Sequence, residues 1–332
     1  MTIKIAIVGA TGAVGRQMLC ELEQLAVSLG RKIELGLYAS ARSVGQSFCF
    51  QEKSLLVRDL QNADQDAPWD YVLMSAGSEV AMKTASLFCD KGAIVIDNSR
   101  AFRDTEKLIV PEVNAQNLAN VEPGDIIANP NCSTIQLVVC LAPLQRLFGI
   151  KSVKVATYQA VSGAGEKGQK ALKQELAGGD LNSCFPDRIA GNLIPFIGGI
   201  DDEGHCEEEI KMVQETRKIL DVEHLDVEVM TVRVPVENSH SEAVFIELEK
   251  EVTQSEVLAA FQAQAGLRVC EEMMPAPLNV SGRADVSIAR VRLPYHQVRS
   301  RSVQFWNVAD NLRKGAATNA VQILNELLQY RK

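Results

Sequence analysis

The feature that most restricts the fold of this sequence is Gly9-Ala-Thr-Gly12-Ala-Val-Gly15, which directly follows the apolar run Ile3–Val8. Behind it, Leu19, Leu22, Leu25, Ala26 and Leu29 recur at the spacing of one helical face. A strand, a glycine turn and a helix in that order open a dinucleotide-binding βαβ unit. The missing side chains let backbone approach a pyrophosphate, and the anion rests on the N–H groups of the first helical turn. The spacing G-x-x-G-x-x-G is a variant of the commoner fingerprint, and a tight turn without a ligand would use the same letters. Its position between strand and helix is what gives it weight.

The alternation continues. Residues 34–39, 71–75, 94–97 and 126–128 read as strands, with a helix over 80–88, which argues for a parallel sheet with helices on both faces. Asn129-Pro-Asn131 marks a sharp turn, and residues 133–141 read as a helix stopped at Pro143. Beyond about residue 150 the chain becomes β-rich, at 153–159, 227–236, 243–248, 286–292 and 302–308, with helices at 166–176 and 207–220. That pattern predicts a mixed or antiparallel sheet with helices on one side. Residues 313–330 read as a final helix burying Ala316, Ala320, Ile323, Leu327 and Leu328. The expected fold class is α/β, a Rossmann-type dinucleotide-binding domain followed by a second, α+β domain. A chain of 332 residues accommodates two domains and a core that needs no staples.

Net charge is −8 and no Lys/Arg-rich run occurs, so no nucleic-acid partner is expected. No stretch approaches the ~18 apolar residues of a membrane span, and the opening apolar run is too short for a signal peptide. A cytoplasmic protein that does not engage a membrane is expected. The eight cysteines are scattered and contain no C-x-x-C pair, so they read as free thiols. His205 beside Cys206 would supply only two metal ligands, and no metal site is expected.

The second strand runs into Ser40-Ala-Arg42-Ser43. An NAD site usually places a carboxylate there for the ribose hydroxyls. An arginine between two hydroxyl side chains suits a 2′-phosphate, so NADP is the expected cofactor. Asn131-Cys132-Ser133-Thr134 falls where a strand ends and a helix begins. Unsatisfied N–H groups and the positive end of the helix dipole favour the thiolate of Cys132, the reactive form. A buried structural thiol would fit the same four residues. Cys140, two turns on, has no such setting. A thiolate needs a base nearby. His224 and His296 lie in charged or polar surroundings and read as surface residues, which leaves His240, between two predicted strands. Spacing leaves both a catalytic and a structural role open for it. Arg233 lies on the strand before it, seven residues away, so a turn must bring the two together. Glu208 and Lys211, three apart on a helix, share one face, as a solvated ion pair would. Arg103 follows a strand end in the first domain, where ligand contacts are common.

Taken together these segments resemble the aspartate-semialdehyde dehydrogenase family over essentially the whole chain. The likeness rests on the glycine turn, Ser40-Ala-Arg-Ser43, Val110-Pro-Glu-Val-Asn114 and Asn129-Pro-Asn-Cys-Ser-Thr-Ile-Gln136. It extends to Tyr158-Gln-Ala-Val-Ser-Gly-Ala-Gly165, Arg233 with His240-Ser-Glu242, and Asp310-Asn-Leu-Arg-Lys-Gly-Ala-Ala317. The resemblance implies Cys132 as nucleophile, Gln159 orienting the acyl group and His240 as acid/base. It implies Arg233 on the substrate carboxylate, Glu208 (rather than Glu209) on its amino group, and Arg103, Asn131 and Lys211 on phosphate. Against the cofactor it implies Gly9, Thr11, Gly12, Ala13, Val14 and Gly15 in the turn, then Ser40, Arg42 and Ser43, then Ser75 and Gly77, and finally Ser162, Gly163 and Asn311. Arg100 departs from the family, which has a small hydroxyl residue beside the phosphate pocket. The implied reaction is the NADPH-dependent conversion of β-aspartyl phosphate to aspartate β-semialdehyde, on the way to lysine, threonine and methionine, by a homodimer. The implied domains are 1–130 with the helix 313–332, and 131–312. An N-acetyl-glutamyl-phosphate reductase would carry Gly before the cysteine and Tyr-Pro after it. A glyceraldehyde-3-phosphate dehydrogenase would carry Ser-Cys-Thr-Thr-Asn. A silent NADP-binding paralogue would be expected to have lost one of Cys132, Gln159, Arg233 and His240, all of which are present. A simple NADP-dependent alcohol dehydrogenase would not need the cysteine.

Overall fold

The computed structural model of the chain describes residues 2–66, 68–179 and 184–330. They form two compact units, Met1–Pro130 with Ala316–Lys332, and Asn131–Gly315.

In the first unit, strands β1 (Ile3–Val8), β2 (Ile33–Ala39), β5 (Tyr71–Met74), β6 (Ile94–Asp97) and β8 (Ile126–Ala128) form the parallel heart of an eight-stranded sheet. Their near-continuous burial follows from cores on both faces. The full order is β3-β4-β2-β1-β5-β6-β8-β7, with β3 (Ser47–Phe50), β4 (Lys53–Asp59) and β7 (Lys107–Leu108) at the edges. Helix α1 (Ala13–Leu29) buries Leu19, Leu22 and Ala26 and ends on Gly30 in the left-handed conformation. Helices α2 (Ser78–Cys89) and α3 (Pro111–Asn114) follow in sequence. The last helix of the chain, α9 (Thr318–Tyr330), shares the core of α1 through Ala320, Ile323, Leu324 and Leu327. Before it, Arg313–Ala317 is wound as a π-turn, so the predicted helix over 313–330 is regular only from Thr318. The β3–β4 hairpin escaped sequence reading for a physical reason. Its turn residues Gln51 and Glu52 hold φ of 46° and 62°, a geometry normally announced by Asn-Gly or Gly.

The second unit is a six-stranded mixed sheet of order β10-β9-β11-β14-β13-β12. Its strands are β9 (Ile150–Gln159), β10 (Asp226–Arg233), β11 (His240–Val252), β12 (Leu267–Val269), β13 (Val286–Arg292) and β14 (Ser300–Ala309). The helices are α4 (Cys132–Phe148), α5 (Glu166–Leu176), α6 (Glu207–Leu220), α7 (Gln254–Gln262) and α8 (Pro277–Val280). Helix α4 packs on β9, β11 and β14. The strands alternate accordingly: Val153, Val155, Thr157 and Gln159 of β9 are buried, while Lys154 and Tyr158 point outward.

Helix α4 corrects one expectation. It passes through Pro143 and ends at Phe148. A proline inside a helix forfeits one hydrogen bond and costs about 3 kcal/mol. Every residue from Ser133 to Leu144 is buried here, and each buried Leu, Val or Ile side chain contributes roughly 1.5–3 kcal/mol, so packing outweighs the proline.

Candidate active site

The first unit carries the glycine turn. The strand order reverses between β2-β1 and β5-β6, where such folds bind ligands beyond the strand ends. Gly9, just past β1, has φ +83°, and a β-carbon on it would lie 2.8 Å from the carbonyl oxygen of Ser75, just past β5. A β-carbon on Gly15 would lie 2.2 Å from the carbonyl oxygen of Gly9. Gly12 caps α1 without any side-chain bond, and the first turn, which begins Ala13-Val14-Gly15, contains no acid. An anion fits that N-terminus, because nothing negative competes for it. Gly77 likewise precedes α2 without a side-chain cap. Thr11 Oγ1 donates to Ser43 Oγ at 3.3 Å and so ties the turn to the segment Ser40–Ser43, where Arg42 is exposed. These residues fit a dinucleotide. Arg103 belongs to this unit too, in the loop after β6, where its Nη2 donates to the Asn98 carbonyl at 2.9 Å. Arg100 in the same loop is exposed.

In the second unit, register does the assembling. Gln159 on β9 pairs with Arg233 on β10, and Tyr158 with Ser241 on β11, so His240 stands beside Gln159. Arg233, Gln159 and His240 therefore form one row on the face covered by α4. His240 opens β11 instead of sitting between strands. Its Nδ1 accepts the N–H of Ala160 at 3.0 Å, so the neutral ring carries its proton on Nε2, which has no partner. Burial, then the charge of Arg233, holds the His240 pKa well below its ordinary value. Arg233 is buried, and its Nη1 donates to the Ala160 carbonyl at 2.7 Å. Burial lowers its pKa, while Glu208 and Cys132 pull the other way. The guanidinium stays charged. Gly163 is bare because a β-carbon there would lie 2.7 Å from Arg233 Nη1 and 3.3 Å from the His240 ring.

Cys132 is the first residue of α4 and is partly accessible. Asn131 caps that helix, its Oδ1 accepting from Ser133 N at 2.9 Å and Thr134 N at 3.1 Å. Those two N–H groups are thus occupied and do not serve a developing oxyanion. Asn131 Nδ2 donates to Glu208 Oε1 at 2.8 Å, which also receives Gln159 Nε2 at 3.3 Å. Lys211 Nζ lies 3.4 Å from Glu208 Oε2. Glu209 is spent on structure, accepting from the backbone N–H of Cys206 and of Thr231, each at 2.9 Å. Ser162 and Asn311 are buried around the turn that leads into His240. Asn311 Oδ1 accepts from Ser162 Oγ at 2.9 Å and from the N–H of Ser239 at 3.0 Å, and Ser239 sits at φ 73°. His205 is exposed, whereas the buried Cys206 thiol lies 3.1 Å from Thr231 Oγ1.

Two residues here were not anticipated. Glu215 Oε2 accepts the backbone N–H of Asn131 at 2.6 Å. It lies seven residues beyond Glu208, two helical turns along the same face, and that spacing was available to find it. Gly315 lies so close that a β-carbon would come within 2.8 Å of that of Cys132. No local pattern reveals a contact between residues so far apart in the chain.

Comparison with known proteins gives a consistent result. The chain matches the model of the semialdehyde dehydrogenase NAD binding domain over residues 4–121 and that of the semialdehyde dehydrogenase dimerisation domain over residues 141–314. It is 41% identical to the aspartate-semialdehyde dehydrogenase of Aquifex aeolicus, with 99% of each chain covered. Identity to that of Campylobacter jejuni is 39%, covering 99% of this chain and 98% of the other. The crystal structure of aspartate semialdehyde dehydrogenase II of Vibrio cholerae, complexed with ASA, superposes with a TM-score of 0.92 at 37% identity, covering 99% of both chains.

Proposed function

This chain belongs to the aspartate-semialdehyde dehydrogenase family, oxidoreductases of amino-acid biosynthesis, and from that premise we propose that it reduces β-aspartyl phosphate to aspartate β-semialdehyde through a thioester on Cys132, with NADP as its cofactor. The observation that carries the reading is the gathering of Cys132, Gln159, Glu208, Arg233 and His240, distant in sequence, around one helix N-terminus and one sheet row.

Arg233 binds the substrate α-carboxylate as a fixed fork, and Glu208 exchanges part of its bonding to Asn131 and Gln159 for the α-ammonium group. Lys211, the second amide hydrogen of Asn131, and Arg103 serve the phosphate. The Cys132 thiolate attacks the acyl carbon, the C–O bond to phosphate breaks, and the acyl group becomes a thioester. When bound, the reduced dinucleotide supplies the hydride. His240 Nε2–H donates to the oxygen that becomes negative as the carbon turns tetrahedral. This replaces the occupied N–H groups of Ser133 and Thr134 in that duty. Collapse of the thiohemiacetal releases the aldehyde and restores the thiolate, with the proton held on His240 Nε2. Gln159 orients the acyl group.

NADP is preferred to NAD because the segment Ser40–Ser43 offers Arg42 and hydroxyls but no carboxylate. The sheet face opposite α4 displays Tyr158, Met230, Phe245 and Trp306, with the Tyr158 and Trp306 rings 5.5 Å apart, and we assign it to a homodimer interface. No helix among the described residues is long and apolar enough to cross a membrane. A cytoplasmic enzyme follows from this reading. The test is NADP reduction with aspartate β-semialdehyde, with and without inorganic phosphate, before and after thiol alkylation. Phosphate-dependent turnover that alkylation removes is the expected outcome. Turnover that needs no phosphate or survives alkylation overturns the thioester reading.

A further inference from the structure

Directly behind the row Arg233, Gln159, His240 lies a second row on the same face. Register aligns Thr231 with Thr157, Thr157 with Glu242, and Glu242 with Asn307. All four are polar and fully buried. Across from them, α4 contributes Gln136, one turn beyond Cys132 and equally buried. Asn307 Nδ2 donates to Glu242 Oε2 at 2.9 Å, and Gln136 Nε2 donates to Asn307 Oδ1 at 2.8 Å. Two oxygens in this cluster have no partner, Glu242 Oε1 and Gln136 Oε1. Both are acceptors when the acid is ionised, so neither can satisfy the other.

We propose that Glu242 is a positioning residue kept as a neutral carboxylic acid, its proton donated to Gln136 so that Gln136, Asn307 and Glu242 close a ring that locks the Cys132 helix onto the His240 strand. The inference rests on the reading of Cys132 and His240 as the reacting pair. A single proton supplies the one missing donor and satisfies both orphan atoms at once. The Gln136 side chain is within hydrogen-bond reach of the carboxyl, and its contact, like that of Asn307, opposes the larger effect of burial. No charge compensates an ionised Glu242. Helix α4 presents Gln136 and the Cys140 thiol to it, β9 presents Thr157 and β14 Asn307, and His240, two residues along its own strand, is neutral. Burial accordingly pushes the Glu242 carboxyl up to about 8. The network is fully satisfied only in the acid form, and a half-satisfied buried network would loosen the two elements it joins.

The test is E242Q beside E242L, with unfolding and turnover each followed against pH. A glutamine can repeat the ring, its amide donating to Gln136 and its carbonyl accepting from Asn307, and it does not titrate. Leucine leaves Asn307 Nδ2 and Gln136 Oε1 unpaired, with only the bond between the two amides remaining. The Glu242 pKa of about 8 in the folded chain lies above its ordinary 4.5, so the folded state holds the proton more tightly. Its contribution is complete below pH 4.5 and is lost as pH rises to about 8. The melting temperature of wild type should therefore fall relative to E242Q across that window and then run parallel to it. E242Q should keep kcat within about twofold at pH 6.5 and retain more of it than wild type above pH 8, whereas E242L should lose about tenfold in kcat with KM little changed. A melting difference that does not vary with pH, or an E242Q as impaired as E242L, overturns the proposal. The melting profile does not involve the reaction, so it decides the ring even if the reading of Cys132 fails. A pH-dependent melting difference with an unimpaired E242L would overturn the positioning role.

Discussion

The two functional regions of this molecule are made by opposite means. In the first unit the dinucleotide turn works by leaving side chains out: Gly9 and Gly15 are bare because neighbouring backbone occupies the space of a β-carbon. In the second unit the site is all side chains, set in rows by strand register and clamped from above by α4 and α6. The first kind of site is contiguous in sequence and has no room for a methyl group at Gly9 or Gly15. The second is scattered in sequence, and each member tolerates change according to what its partners lose.

The comparison can be broken or sharpened by substitution. The largest effect is expected from Cys132→Ala, which should lower turnover by at least about four orders of magnitude while NADP affinity, measured by fluorescence titration, stays put. Weaker cofactor binding would show that the two regions are not separable in this way. His240→Asn should cost about 10²–10⁴-fold in kcat, as loss of a proton-handling group does. It should also flatten the acid limb of stability. The folded pKa of His240 lies well below 6.5, so the unfolded chain takes up the proton first, and the wild type loses stability as pH falls through that value. Calorimetry from pH 7 downward checks the sign.

Arg42→Ala should remove about 1.5–3 kcal/mol of NADP binding, some 10–100-fold, and leave NAD binding alone. An equal loss for both nucleotides would remove the 2′-phosphate from the account. Gly15→Ala should destabilise the first unit by about 1–3 kcal/mol and weaken the dinucleotide with it. Gly12→Ala, whose β-carbon would meet nothing closer than 3.4 Å, should cost less than about 1 kcal/mol. The smallest effect is a gain. Gln51→Asn with Glu52→Gly places the residues that the β3–β4 turn favours, and should raise stability by up to about 1 kcal/mol without touching activity.

The same contrast governs what could be read from the letters alone. The glycine turn, the α1 face and the helix over residues 207–220 were legible because each is a local pattern. The β3–β4 hairpin was not, because Gln51 and Glu52 adopt left-handed geometry without the usual residues. Pro143 misled because its local penalty is outweighed by burial that depends on the whole sheet. In the second unit the residue types were visible but their neighbours were not. Nothing near Arg233 announces that it is buried beside Gln159 and His240, because that depends on the pairing of β9 with β10 and β11. Glu208 and Glu209 have the same chemistry in sequence. The family resemblance preferred Glu208, and the fold gives the physical reason: Glu208 faces Asn131, whereas Glu209 holds two backbone N–H groups.

One residue is held from three sides: the Asn131 side-chain oxygen starts helix α4, its amide nitrogen leans on Glu208, and its backbone N–H is gripped by Glu215. The bonds that aim the neighbouring thiol are therefore the bonds that nucleate a central, buried helix. On warming, the second unit should show no separate low-temperature step in which the Cys132 thiol wanders while the fold persists. Heat inactivation and melting of this unit should then coincide, with tolerance to temperature inherited from the core instead of being set at the site.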